Sequence, residues 1–171
     1  MAYFKELDEI LNISISMLLE NDNICKLLHY YPDTQNLKFN PISQPKVENP
    51  HSLLLNKIYP MPKMPDAETG QICFVDVNLA GGEKMLNTGF RRVELIFDVV
   101  CHLDSWIIKG GYRPLKVMAE IDSLFNNQSS NLPIVNKPLS LPFIPKNYAN
   151  KFYGYQLRYE LQINSNINCG K

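Results

Sequence analysis

The run "RRVELIFDVVCHLD" (Arg91 to Asp104) constrains the fold more than any other part of the chain. Val93, Leu95, Phe97, Val99, Cys101 and Leu103 alternate with Arg92, Glu94, Ile96, Asp98, Val100, His102 and Asp104. Period two sustained this far predicts a long β-strand, from about Phe90 to Ile108, with one oily face. The same pleat decides the chemistry of Cys101, His102 and Asp104. Neighbours on a strand point to opposite faces, so the thiol and the imidazole cannot form a local nucleophile pair. His102 and Asp104 share a face, roughly 7 Å apart by strand rise. They would hold a metal with Asp98 or Glu94 only if another element supplied a ligand. His29 and His51 lie in unrelated elements, and no HxH or HExxH spacing occurs. The residues therefore predict no catalytic residue, no cofactor and no metal.

The remaining elements follow from pattern. Phe4, Leu7, Leu11, Ser14, Ile15 and Leu18 recur at helical spacing. "ENDN" interrupts them and offers Asn21 or Asp22 as a cap for a second helix carrying Ile24, Leu27, Leu28 and Tyr31, closed by Pro32. "ICFVDVNLA" alternates as a strand, with Cys73, Val75, Val77 and Leu79 on one face. "GGEKMLNTG" joins it to the long strand as a hairpin tip in which glycine supplies positive φ. Pro114 opens a helix with Val117, Met118, Ile121, Leu124 and Phe125 on one face. "FYGYQLRYELQIN" alternates again, with Tyr153, Tyr155, Leu157, Tyr159, Leu161 and Ile163 against Gln156, Arg158, Glu160 and Gln162. Residues 165–171 read as a frayed tail.

Proline sets the rest. Seven of the chain's twelve prolines lie between residues 32 and 70. Each fixes φ and removes a donor, which excludes a long helix or a central strand there. Leu53, Leu54, Leu55, Ile58 and Tyr59 give this insertion apolar islands. It either packs across its own domain or reaches a neighbouring subunit. A second proline-rich loop is expected at about 131–147. The whole, residues 1–171, reads as a single α+β domain. Its antiparallel or mixed sheet has a long hairpin, with an N-terminal helix pair and one further helix packed on one face.

Composition narrows the function. Formal net charge is zero, with 17 basic and 17 acidic side chains, so nothing draws the whole protein onto nucleic acid or an anionic membrane. No apolar run reaches the roughly 18 residues of a membrane span. "MAYFKELDEI" lacks the basic-then-apolar profile of a signal peptide, which predicts synthesis in a cytoplasm. Cys25, Cys73, Cys101 and Cys169 are scattered and read as free structural thiols. "LAGGEKMLNTGF" fails as a phosphate loop: the glycine spacing is wrong, no Ser or Thr follows Lys84, and a strand comes next. Lys109, Arg113 and Lys116 cluster at a helix start, without the basic excess or interleaved aromatics of a nucleic-acid surface. Candidate contact residues are Glu83, Lys84, Arg91 and Arg92 at the hairpin, and Leu54 and Tyr59 in the insertion.

The helical "FKELDEILNISISMLLENDNICKLLHYY", the strand "RRVELIFDVVCHLDSWII", the helix "RPLKVMAEIDSLF" and the strand "YGYQLRYELQI" follow one another in an order that resembles tail-terminator and tail-completion proteins of long-tailed bacteriophages. The resemblance is one of topology and brings no catalytic residues. It implies a ring, six copies expected, at the head-proximal end of a tail tube, ending tube growth and joining the tail to the neck or connector. The implied partners are copies of itself, the tail tube protein and a neck or connector protein, with DNA passing through a lumen and no membrane. The implied location is the virion, after synthesis in the host cytoplasm. Two alternatives stand beside it: a neck, head-completion, tail-tube or adaptor protein of the same architecture, and an enzyme or metalloprotein using His102 and Asp104.

Overall fold

The computed structural model describes residues 2–32, 38–65, 72–85, 89–126, 132–148 and 151–164. Three helices, α1 (Ala2–Glu20), α2 (Asp22–His29) and α3 (Arg113–Phe125), lie against a mixed five-stranded sheet. Its strands are β1 (Ile58–Tyr59), β2 (Cys73–Lys84), β3 (Phe90–His102), β6 (Leu139–Asn147) and β7 (Phe152–Asn164), in the order β1-β2-β3-β7-β6. Two short strands, β4 (Ile107–Ile108) and β5 (Gly111–Tyr112), form a separate small hairpin. β1 runs parallel to β2 and every other pairing in the large sheet is antiparallel. This is the expected α+β class.

The helix pair forms, but α2 ends at His29 with Tyr30 extended as its C-cap, before the expected Tyr31 and Pro32. Asn21 is the cap of α2, its side chain accepting the Ile24 N–H at 2.9 Å. Ile10, Ser14, Ile15, Leu18 and Leu19 of α1 are buried, with Ile24, Cys25, Leu27 and Leu28 of α2. Phe4 departs from the expected stripe and is 72 % exposed. α1 and α2 pack on β2, and α3 packs on β3 and β7 through Val117, Met118, Ile121 and Phe125. Phe97, Phe125 and Tyr159 meet at the centre of this layer, with ring centroids 4.7 to 6.0 Å apart.

Three expectations are corrected. The long strand ends at His102 rather than Ile108, because Leu103–Ser105 forms a 3₁₀ turn. The predicted loop at 131–147 contains strand β6, whose Pro142 and Pro145 sit on the sheet's outer edge. Proline is tolerated there because one side of an edge strand needs no donor. The hairpin tip is also shorter than expected. β2 continues to Lys84 through a bulge at Gly81–Glu83, where Gly81 and Gly82 have φ of 84° and 103°.

The insertion obeys its prolines. It forms two 3₁₀ turns, Pro41–Ser43 and Pro50–Leu53, and the two-residue edge strand β1. Val47, Leu53 and Ile58 join the main core, so much of it packs across its own sheet. Residues 33–37, 66–70 and the tail lie outside the described residues, as does Cys169.

Candidate assembly surface

The sheet face away from the helices carries β3 and β7 side chains in a polar ladder. Arg92 reaches Glu160 at 3.2 Å, Arg158 donates to Glu94 at 2.6 and 2.9 Å, and Gln156 donates to Asp98 at 3.0 Å. Asp98 and Gln156 face each other directly, while the two Arg–Glu contacts join diagonal neighbours, which long side chains reach on an antiparallel pair. The two Arg–Glu pairs cancel in charge, and being solvent-accessible they contribute at most about 1 kcal/mol each.

His102 does not stay where strand geometry alone would put it. The 3₁₀ turn brings Asp104 back, so His102 Nδ1 accepts the Asp104 N–H at 3.3 Å and lies 3.5 Å from its Oδ2. The roughly 7 Å spacing expected of a continuous strand is thereby lost. The ring edge also packs on Phe152, centroids 5.0 Å apart. The imidazole acts as a turn cap. Among the described residues no three His, Cys, Asp or Glu side chains are grouped to hold a metal ion. Cys101 points the other way, into the core, paired with Cys73 across the β2–β3 ladder. Burial pushes its thiol well above the usual range. Exchanging both His102 and Asp104 for asparagine is expected to change stability by about 1 kcal/mol or less, the worth of a part-exposed cap. A urea melt checks this, alongside elemental analysis expected to find the same metal content before and after.

The predicted contact residues fall into two groups that the fold keeps apart. Glu83, Lys84 and Arg92 are exposed at the hairpin end, and Arg91 donates to Gly82 O at 3.0 Å. Leu54 is exposed beside Leu55, which has a left-handed φ of 61°. Tyr59 is half-buried, its hydroxyl donating to Asn56 O at 2.8 Å and its ring meeting Phe74 edge-on. Tyr59 pairs with Asp76, so the two groups are separated by most of β2, roughly 26 Å at strand rise.

A third group has no counterpart in the sequence reading. β6 is exposed along nearly its whole length, including Leu139, Phe143 and Ile144, with Phe143 57 % exposed. Beside it lies an open, largely apolar hollow lined by Leu103, Trp106, Pro145, Tyr153 and Tyr155. Phe143 packs edge-on against Tyr155, which in turn meets Trp106. The Tyr148 N–H bonds to Phe152 O and sets the β6–β7 ladder, whose alternation turns the Pro145 nitrogen to the open side. The edge therefore lacks a donor where another strand would add, and offers side chains instead. The feature that would have revealed it is the alternation of Leu139, Leu141 and Phe143, hidden by four prolines between 133 and 145.

No described helix is long and apolar enough to cross a membrane. No curated protein matches the chain. A family model, YomW, matches residues 21–161, which take in α2, α3, all of β1 to β6 and most of β7. The matched span holds the polar ladder and the exposed β6 edge alike, and the chain belongs to the YomW family, whose name suggests a phage-derived protein.

Proposed function

We propose that this chain is a structural subunit of a phage virion that assembles as a ring at the head-proximal end of a tail tube, ending tube growth and joining the tail to the neck. The observation that carries the reading is β6, an edge strand with apolar side chains in water along its length. A lone subunit gains nothing from exposing Leu139, Phe143 and Ile144 beside the Trp106–Tyr155 hollow, and such patches are characteristic of surfaces that meet other proteins. The proline-blocked edge supports contact through side chains in a finite assembly, since open strand addition would give fibres. The family name agrees with a phage origin. The neutral overall charge suits a ring through which DNA slides without being gripped, because backbone binding needs clustered cations.

The test is the mass of the purified protein in solution, alone and mixed with tail tubes. A ring-sized species, and tubes capped at one end, is the expected result. A strict monomer indifferent to tubes overturns the reading. Rings that ignore tubes but bind a neck component move the protein to the neighbouring layer. Phe143→Asp is expected to cost the subunit about 1 kcal/mol or less, since the ring is largely exposed and loses only its edge-on contact with Tyr155. Self-association should weaken about thirtyfold, equivalent to about 2 kcal/mol for an interface aromatic. Sedimentation of the variant across a concentration series checks both.

A further inference from the structure

Asp76 on β2 and Asp98 on β3 are directly paired residues on the sheet face away from the helices. Both are buried, Asp76 2 % and Asp98 8 % exposed. Gln156 on β7 donates to both oxygens of Asp98, at 3.0 and 3.3 Å. The Lys63 backbone N–H donates to Asp76 Oδ2 at 2.9 Å, which ties the Pro60–Pro65 stretch to the sheet. Oδ1 of Asp76 is buried and has no hydrogen-bond partner among the described residues. An ionised carboxylate offers acceptors only, so this oxygen would be stranded beside a second acid. Protonated, it becomes a donor, and the paired Asp98 supplies an acceptor.

We infer that Asp76 and Asp98 bind one proton between them, and that this proton keeps the Pro60–Pro65 segment closed over the sheet. Two buried like charges on paired positions cannot both ionise without water reaching them, and the segment is part of what keeps water out. Burial pushes the Asp76 carboxyl up to about 7, and the Asp98 charge adds to the rise. Asp98 is raised too, chiefly by burial. The charged and titratable groups facing the pair are Lys63 in the segment, Lys146 on β6 and Tyr148 just beyond it. Lys63 lowers Asp76 and Lys146 lowers Asp98, yet neither outweighs burial. The Tyr148 phenol is itself pushed up, first by burial and then by both carboxylates.

Linkage gives the sign. The closed form holds a proton that the opened, rehydrated form releases to solvent at an ordinary carboxyl pKa. Closure is therefore fully supported below about pH 4, weakens as pH rises toward 7, and loses this support above it. The opening constant rises by up to about a hundredfold between pH 5 and pH 8. This holds whatever the protein assembles with.

The experiment is an NMR titration of the full chain labelled with ¹³C at aspartate, with Lys63 amide exchange measured in the same samples. The Asp76 carboxyl resonance is expected to titrate near pH 7. Lys63 amide protection, corrected for intrinsic exchange, should fall steeply from pH 5 to pH 8. Asp76→Asn should remove that pH dependence, its amide donating to Asp98 while its oxygen keeps the Lys63 N–H. Asp98→Asn, which leaves Asp76 titratable, should move the Asp76 midpoint downward. Titration of Asp76 wholly below about pH 5, or Lys63 protection constant within about twofold over that range, overturns the inference.

Discussion

Gly154→Ala is expected to leave no cooperatively folded protein at room temperature. Gly154 sits in β7 between Val100 of β3 and Lys146 of β6. A Cβ added there would lie 1.9 Å from the Val99 carbonyl oxygen, 2.9 Å from its carbon and 3.1 Å from Val100 Cα. All three are backbone atoms of the central strand, so no side-chain rotation relieves the clash. Relief requires β7 to part from β3, which undoes the pairing on which α3 rests. The loss should exceed about 4 kcal/mol, a large share of a typical domain's 5–15. Gly110→Ala is the contrast. Its φ of 78° costs the alanine about 1–2 kcal/mol, and the nearest obstacle is the flexible end of Lys116. Far-ultraviolet dichroism through a urea series separates the two. A Gly154→Ala protein with the wild-type midpoint would show that the β3–β7 approach is wrong.

Arg113→Ala is expected to cost about 3–5 kcal/mol, the range for stranding several buried acceptors and leaving a cavity. Arg113 opens α3 and is fully buried, the largest such side chain among the described residues. Its guanidinium donates to Ser105 O at 2.9 Å, to Tyr30 O at 3.0 Å and to Leu27 O, and lies over the Tyr31 ring, 4.5 Å from its centroid. Leu27 and Tyr30 are at the C-terminal end of α2, where carbonyls lack intrahelical donors and the dipole favours a cation. One guanidinium thus ends α2, begins α3 and anchors the turn after β3. Lysine presents no planar fork and should recover only part of the stability. Methionine fills volume without donating. If Arg113→Met matched the wild-type urea midpoint at an unchanged slope, packing rather than hydrogen bonding would be the arginine's contribution.

That residue also shows where pattern reading stops. With Lys109 and Lys116 nearby, Arg113 looks like part of a solvated basic cluster at a helix start. Its burial depends on the end of α2 arriving from more than eighty residues away. Asp76 and Asp98 are similar. Alternation places both on the polar face, but their burial depends on what packs over that face: the Lys63 backbone at Asp76, and Gln156, Lys146 and Tyr148 beside Asp98. β6 was obscured for another reason. A proline reads as a strand breaker unless the open side of the ladder is known, and only the β7 pairing shows that. Alternation separates Cys101 from His102, but the approach of Asp104 to His102 depends on the 3₁₀ turn, which no strand pattern shows.

Side-chain periodicity was enough to specify the helix pair, α3, and strands β2, β3 and β7, because a buried face imposes its repeat locally. The Asn21 cap and the positive-φ glycines were legible for the same reason: each meets a need of the adjacent backbone. Burial of a charge, the open side of an edge strand and the cover over a polar face are set by residues distant along the chain. Those were decided when the layers came together, since the free energy of a buried polar group depends on which partners arrive to satisfy it.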